Sequence, residues 1–219
     1  MLWPIACPVC GRIGVSHCLA CMEGVFDPLP VFCLECGGVY DAKCCYSSSP
    51  AYAVAPHEGV ARTFLLNLKY RNVRDLGIPM GRLMAECRTD IKADAILPIP
   101  LHRDSAREYN QTDLLALGLS DVLDIKTLPE ALNWNFDVGR QTSRHGRERK
   151  SLPADSFFAS CDLNGVRVII VDDVYTTGGT ARAAKAAVER AGGTVEAAFF
   201  WSRRITLNES TISWNGIEE

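Results

Sequence analysis

The chain has 219 residues, of which 47% are hydrophobic and 22% are charged, a composition typical of folded globular proteins and unlike that of disordered chains. Its formal net charge of −3 gives no global indication of nucleic-acid binding, although it does not exclude a local basic patch. No apolar run approaches the roughly 18 residues that span a bilayer, and the N-terminus lacks the pattern of a signal peptide. We therefore expect a cytoplasmic protein without a membrane span.

Cysteines are concentrated near the N-terminus. In a chain without a secretion signal, such clustering indicates metal binding rather than disulfides. A Cys-x2-Cys-Gly pattern occurs twice, and a shift of 26 residues superimposes the two copies. Two residues between cysteines let both thiolates reach one tetrahedral ion, so we expect structural zinc. The predicted metal ligands are Cys7, Cys10, Cys18, Cys21, Cys33, Cys36, Cys44 and Cys45.

The second repeat departs from the first, because the shift superimposes Cys21 on Ser47 and the adjacent pair Cys44-Cys45 must replace a spaced pair. An intact second site and a decayed ribbon with a vacant position are both open interpretations. A third is that cysteines from both repeats share one ion. Cys87 and Cys161 are expected to be small buried hydrophobic residues rather than ligands.

The boundaries follow from composition. Residues 1–46 are predicted to be a zinc-ribbon module, possibly double, and a linker covers 47–50. Residues 51–205 are predicted to be the main domain, followed by a C-terminal tail at 206–219.

Within the main domain, hydrophobic patterns alternate between the two periodicities of strands and helices. Strands are predicted at 51–55, 93–100, 121–128, 166–171 and 194–201, and helices at 60–70, 76–87, 114–119 and 180–191. Strands that alternate with helices favour a parallel sheet covered on both sides. The predicted fold class is therefore α/β.

The most informative segment is the one from Val168 to Ala191, which predicts a buried strand ending at Asp172-Asp173, a loop and a helix. Ligands of open α/β sheets bind beyond the carboxyl ends of the strands. Glycines in the loop let the backbone approach an anion, toward which the first N–H groups of the helix point. Two carboxylates beside it suit ribose hydroxyls, or a Mg²⁺ ion that also holds a pyrophosphate. The alternative is a strand-end turn capped locally by Asp172.

Residues 168–180 resemble the signature of the type I phosphoribosyltransferases, in which two acidic residues contact the ribose hydroxyls and the next loop holds the 5-phosphate. Together with its cysteine-rich N-terminus, the chain is similar to the ComF branch, whose members are linked to DNA uptake in natural competence. Leu65–Tyr70, Leu97–Leu101 and Arg107–Gln111 carry the same resemblance. The last of these reads Arg-Glu-Tyr-Asn-Gln, where the branch usually has Arg-Gly-Phe-Asn-Gln.

This resemblance implies that the chain binds 5-phosphoribosyl-1-pyrophosphate (PRPP) together with Mg²⁺, and that an active enzyme of this kind is a phosphoribosyltransferase. The implied catalytic residues are Asp172 and Asp173. The implied PRPP ligands are the same two aspartates with Thr176, Thr177, Gly178, Gly179 and Thr180. On the pyrophosphate side the implied cations are Lys69, Arg103 and Arg107. The sequence does not identify the acceptor.

The second hypothesis is an adaptor without turnover, which senses PRPP while it binds single-stranded DNA or proteins of the competence machinery. A basic segment at 139–150 supports it as a flap over a polyanion, but the segment is equally well a solvated loop. It contains Arg140, Arg144, His145, Arg147, Arg149 and Lys150 against only Glu148. The acidic total charge and the few aromatics among these cations count against the adaptor.

Overall fold

The computed structural model describes residues 5–41, 43–102, 105, 107–135 and 152–205. Within these ranges the strands are β1 (Phe32–Cys33), β2 (Pro50–Pro56), β3 (Ala95–Pro98), β4 (Leu132–Trp134), β5 (Phe157–Ala159), β6 (Arg167–Tyr175) and β7 (Thr194–Arg203). The α-helices there are α1 (Leu19–Glu23), α2 (Gly59–Tyr70), α3 (Gly77–Ala85), α4 (Gln111–Leu123) and α5 (Gly179–Arg190), and a 3₁₀ turn covers Arg74–Leu76. The predicted basic segment at 139–150 and tail at 206–219 lie outside the described residues.

The main sheet has the strand order β1-β2-β7-β6-β3, and β4 pairs with β5 in a separate two-stranded antiparallel sheet. Strands β2, β7, β6 and β3 are parallel, and β1 joins the edge in antiparallel orientation. Helices cover both faces of β6, so Val168–Val171 are all fully buried and the strand reads as a continuous apolar run. The predicted α/β class with a mostly parallel sheet is confirmed.

Helices α2, α3 and α4 pack on one face of the sheet, and α5 packs on the other. Helices α3 and α4 approach each other so closely that a Cβ atom at Gly81 would lie 2.1 Å from the carbonyl oxygen of Leu115. A Cβ at Gly118 would lie equally close to the carbonyl oxygen of Ile78. Glycine is therefore required on both helices at this crossing, which brings the backbones of α3 and α4 into close contact.

The cysteine-rich segment lies along the outer edge of β2. Asp27 and Leu29 donate backbone hydrogen bonds to Val54 and Ala53 at 3.0 and 3.2 Å. Farther along, β1 pairs with the start of β2. Ser49, which belongs to the predicted linker, is buried and donates its hydroxyl to the carbonyl oxygen of Val195. The backbone of this segment thus extends the hydrogen bonding of the main sheet.

Side chains of the cysteine-rich segment enter the cores on both faces of the sheet. Met22 and Val25, next to the first group of cysteines, join the core beneath α2, α3 and α4. Phe32 and Leu34, next to the second group, join the core beneath α5. The two cysteine groups are therefore associated with opposite faces of the sheet.

Several predicted elements differ from the observed ones. The strand predicted at 121–128 is wrong, because α4 continues to Leu123 and ends where Asp124 adopts a left-handed conformation at φ 55°. Of the residues in that range, Thr127 alone forms a bridge, to Ile96. Strand β6 does not end at the aspartates but continues to Tyr175, because β7 keeps pairing with it. Cys161 is exposed, contrary to expectation.

No helix among the described residues combines the length and the apolar character needed to cross a membrane.

Candidate functional site

A short loop joins β6 to α5 at the carboxyl edge of the sheet. Gly178 has φ 74°, and its carbonyl oxygen accepts the first helical hydrogen bond, from the backbone N–H of Arg182 at 2.9 Å. The N–H groups of the first helical turn have no partner within the helix and carry the positive end of its dipole. A small pocket opens here, lined by residues that include Asp172, Thr176, Gly178, Gly179 and Thr180. The loop therefore has the geometry of an anion-binding site.

The two aspartates point to opposite sides because they lie within a strand, where successive side chains alternate. Asp173 faces α2 and α4, where the Nζ of Lys69 lies 2.7 Å from its Oδ1 and the amide of Gln111 donates to its Oδ2. Arg107 in turn donates to the Oε1 of Gln111 at 2.5 Å. These contacts link two predicted cations, directly or through Gln111, to one buried carboxylate.

Asp172 faces the pocket of the loop and keeps part of its surface exposed. Its Oδ1 accepts a hydrogen bond from the backbone N–H of Asp173 at 2.7 Å. Burial, and next the charge of Asp173, raises the pKa of Asp172 to about 7. A cation or hydroxyl donor bound here would favour the ionised carboxylate, which is the behaviour expected of a ligand-binding acid.

A cleft adjoins the aspartates on the side of α2 and is lined in part by Lys69, Arg107 and Tyr109. Tyr109 donates its hydroxyl to the carbonyl oxygen of Leu68, which anchors the segment before α4 to the end of α2. The exposed Glu108, a departure from the ComF pattern, pairs with Arg74 at 3.2 Å. This pairing partly offsets the negative charge that Glu108 brings to the cleft. Arg103 lies outside the described residues.

The sequence assigned no individual role to Gln111, which it named only within the stretch Arg107–Gln111, or to His57, which lies near the site. His57 follows β2, and its Nδ1 lies 2.8 Å from the hydroxyl of the fully buried Ser202 on β7. Burial, followed by the nearby charges of Arg204 and Lys69, lowers the pKa of His57. Its position directly after the predicted strand at 51–55 was the available signal. Gln111 ends the Arg-Glu-Tyr-Asn-Gln stretch, but its contact with Asp173 depends on where α4 begins.

Both cysteine groups have the geometry of metal sites. Cys7, Cys10, Cys18 and Cys21 form one group, and Cys33, Cys36, Cys44 and Cys45 form the other, with the four sulfur atoms of each group within 4.8 Å of one another. Four thiolates around zinc lie about 3.8 Å apart, given Zn–S bonds of about 2.3 Å. Each repeat therefore gathers its own cysteines, and Cys45 occupies the fourth position of the second group. Both groups fit zinc.

Without a metal ion, one thiol of each group keeps its proton strongly. Cys21 and Cys45 donate hydrogen bonds to Cys18 and Cys36, and these bonds, followed by burial, raise the pKa values of Cys21 and Cys45 to about 12. All four thiols of a group would ionise together only around a cation, whose charge offsets the repulsion among the sulfur atoms.

Comparison with known proteins identifies the family. No family model matches the chain. The adenine phosphoribosyltransferase of Thermosipho africanus is 31% identical to it over 139 residues, a match that covers 52% of this chain and 79% of that protein. This chain belongs to the phosphoribosyltransferase family.

Other phosphoribosyltransferases match over shorter stretches or at lower identity. The adenine phosphoribosyltransferase of Thermobifida fusca is 44% identical over 64 residues, which span only 36% of its length. The solved structure of the Rhodothermus marinus enzyme is 19% identical, with a TM-score of 0.41 and coverage of 87% of this chain and 90% of that one. The Saccharomyces cerevisiae enzyme, solved with adenine and an imino-altritol bisphosphate, is 21% identical with a TM-score of 0.40, and the match covers 65% of this chain and 75% of that one.

In this member of the family, most of the predicted ligand residues converge on the carboxyl edge of the sheet. The residues found there are Lys69, Arg107, Asp172, Asp173, Thr176, Thr177, Gly178, Gly179 and Thr180. They come from α2, from the segment before α4, from β6, and from the loop and first turn that begin α5. The carboxyl edge of the sheet thus brings together a loop with anion-binding geometry, two carboxylates and two cations.

Proposed function

We propose that the protein binds PRPP together with Mg²⁺ at this edge of the sheet. The observation that carries the proposal is the loop around Gly178, which presents the N-terminus of α5 beside the partly exposed Asp172. The 5-phosphate would accept hydrogen bonds from the first N–H groups of α5 and from the hydroxyls of Thr176, Thr177 and Thr180. Asp172 and Asp173 would accept hydrogen bonds from the ribose hydroxyls.

The pyrophosphate would then lie toward the cleft on the side of α2. Lys69 and Arg107 line this cleft and are linked to Asp173, so both cations are held beside the position of the ribose. Displacement of pyrophosphate from ribose passes through an oxocarbenium-like state, and cations at the leaving group lower its barrier. Bound Mg²⁺ would supply further charge neutralisation at the pyrophosphate oxygens. Asp172 and Asp173 would act as catalytic residues by holding the ribose.

We further propose a role in DNA uptake like that of the ComF proteins, supported by the resemblance of the ligand segment and by an N-terminal segment with two potential zinc sites. A PRPP-binding adaptor without turnover is the second candidate. It is favoured by the engagement of both oxygens of Asp173, one by Lys69 and the other by Gln111, which leaves Asp172 as the freer acceptor. The adaptor would bind single-stranded DNA or competence proteins elsewhere.

Calorimetry with PRPP, with and without Mg²⁺, tests the binding proposal. Ribose 5-phosphate is the matched control ligand, because it fills the phosphate loop but lacks the pyrophosphate. Asp172→Asn should weaken PRPP binding more than Thr180→Ala, because Thr180 provides one hydroxyl among several donors, which is worth about 1 kcal/mol. Absence of any PRPP affinity in the wild-type protein would contradict the proposal.

Release of pyrophosphate in the presence of a panel of bases and amines separates the enzyme from the adaptor. Turnover with any acceptor supports the transferase. PRPP binding without pyrophosphate release from any acceptor in the panel supports the adaptor.

A further inference from the structure

The second cysteine group touches the loop that would hold the 5-phosphate. Its first knuckle covers Cys33–Gly37, and three carbonyl oxygens of this knuckle accept hydrogen bonds from side chains of the site. Tyr175 donates its hydroxyl to the carbonyl oxygen of Leu34 at 3.2 Å. Arg203, at the end of β7, donates to the carbonyl oxygen of Gly37 at 2.6 Å. The third acceptor is the carbonyl oxygen of Glu35.

Arg182 provides the link that reaches the loop itself. Its Nη1 donates to the carbonyl oxygen of Glu35 at 2.9 Å and to that of Thr177 at 2.8 Å. A guanidinium NH₂ group has two hydrogens, so one nitrogen can serve both acceptors. Glu35 lies between two cysteines of the group, and Thr177 lies in the phosphate loop. One side chain therefore bridges the cysteine knuckle and the loop.

Packing leaves little freedom at this bridge. The ring of Phe32 contacts that of Tyr175 edge-on at 4.8 Å between centroids. A Cβ at Gly37 would lie 3.2 Å from the hydroxyl of Tyr175, and a Cβ at Gly178 would lie 2.5 Å from the same atom. The hydroxyl of Tyr175 is thus enclosed between a glycine of the knuckle and a glycine of the loop, so a displaced knuckle would displace the loop.

The first cysteine group provides an internal comparison. Its neighbours Met22 and Val25 pack into the core on the opposite face of the sheet, beneath α2, α3 and α4. The contacts with the phosphate loop described above all come from the second group. The two groups therefore differ in their relation to the site although they share a cysteine pattern.

We propose that Arg182 is a positioning residue for the phosphate loop. It holds the loop in place only while the second cysteine group is folded around a metal ion. A knuckle of this length has no core of its own, and the metal supplies its folding energy. Lys185 of α5 contacts the carboxylate of Glu35 at 2.8 Å, but the backbone of Glu35 lies between Cys33 and Cys36, which the ion joins. Without the ion, the carbonyl oxygen of Glu35 is held less firmly, and the anchor that Arg182 has on the knuckle weakens. The proposal rests on the proposed function in that PRPP is the ligand whose affinity it would control.

Hydrogen exchange of the peptide that covers residues 174–182, without added ligand, tests the mechanical link. Cys36→Ser and Cys10→Ser are a matched pair, because both residues are exposed and occupy equivalent positions in the repeat. Metal analysis should show loss of one zinc in each variant. Exchange in the loop should accelerate in Cys36→Ser and match the wild type in Cys10→Ser. Equal exchange in both variants and the wild type would overturn the proposal.

Substitution of Arg182 tests the bridge with both cysteine groups intact. Arg182→Met should retain two zinc ions, accelerate exchange in the loop and weaken PRPP binding by about tenfold, as expected for the loss of charged hydrogen bonds. Arg182→Lys, which can still donate to one carbonyl oxygen, should recover part of the affinity. Wild-type exchange and affinity in Arg182→Met would refute the positioning role.

These outcomes are separable from the proposed function. If the wild-type protein does not bind PRPP, the assignment of the ligand is wrong, and the exchange measurements still decide whether the cysteine group controls the loop. If PRPP binds but Cys36→Ser does not alter exchange, the link fails while the ligand assignment stands.

Discussion

The glycine pair of the phosphate loop gives the sharpest mutational test, because its two members have opposite constraints. Gly178 has φ 74°, a conformation that costs a residue with a side chain roughly 1–2 kcal/mol. An added Cβ would also lie 2.5 Å from the hydroxyl of Tyr175 and 2.7 Å from the Nη1 of Arg182. Tyr175 is only 3% exposed, so it has little space to retreat, and such overpacking costs about 1–3 kcal/mol.

The backbone cost and the overpacking cost together predict that Gly178→Ala lowers the free energy of unfolding by roughly 2–5 kcal/mol. Gly179 is the matched control. It is the first residue of α5, and its Cβ would meet the backbone nitrogen of Leu152 at 3.5 Å, an ordinary contact. Gly179→Ala should therefore be neutral or stabilise the protein by up to about 1 kcal/mol, because alanine restricts the unfolded chain.

Urea denaturation of the two variants measures these differences, and calorimetry with PRPP shows whether the loop retains its shape. Gly178→Ala should also weaken PRPP binding, since the clash displaces the Arg182 side chain that holds Thr177. If Gly179→Ala is as destabilised as Gly178→Ala, or more so, the described loop conformation is wrong.

Four further predictions concern the site and the cysteine groups. Because the pKa of Asp172 is raised, the folded protein retains a proton that the unfolded chain releases, and the contribution of this group to stability falls as pH rises from 3.8 through about 7. Asp172→Asn should therefore reduce the dependence of the free energy of unfolding on pH, measured by urea denaturation. PRPP binding, measured by calorimetry, should strengthen as pH rises through about 7, because the ligand binds the ionised carboxylate of Asp172. Mass spectrometry under native conditions should find two zinc ions per chain, whereas one would mean that the second group is decayed. Lys69→Met should weaken PRPP binding and destabilise the fold, since it leaves the buried Asp173 without its ion pair, and an unchanged urea midpoint would contradict this.

Much of the fold follows from local pattern. The apolar runs at 166–171 and 194–201 predict the central strands β6 and β7 because both faces of a parallel sheet are covered. The end of β6 did not follow from pattern, since polar residues at Asp172 and Asp173 suggest a strand end. Pairing of Val174 and Tyr175 with Ser202 and Arg203 keeps the strand regular, and that partner is remote in sequence.

In the site, too, local features follow from the sequence and contacts between distant residues do not. The glycines and threonines before α5 predict an anion loop because their chemistry is local. The network around Asp173 depends on Lys69 and Gln111, which lie 104 and 62 residues away and meet it only through the packing of α2 and α4. The two-stranded sheet of β4 and β5 carries no strong periodic signal, because each strand has only three residues.

The position of the cysteine-rich segment along β2 has a consequence for solubility. A strand of seven mainly buried residues, with the sequence Pro-Ala-Tyr-Ala-Val-Ala-Pro, would present unpaired backbone groups if that flank were open. Such an exposed apolar flank is a template for pairing with a strand of another molecule. Backbone hydrogen bonds from Asp27, Leu29 and Leu34 to the stretch from Ser49 to Val54 shield it. Removal of zinc by a chelator should therefore convert a monodisperse protein into one that aggregates through strand addition, with light scattering rising before the far-ultraviolet signal of the helices is lost.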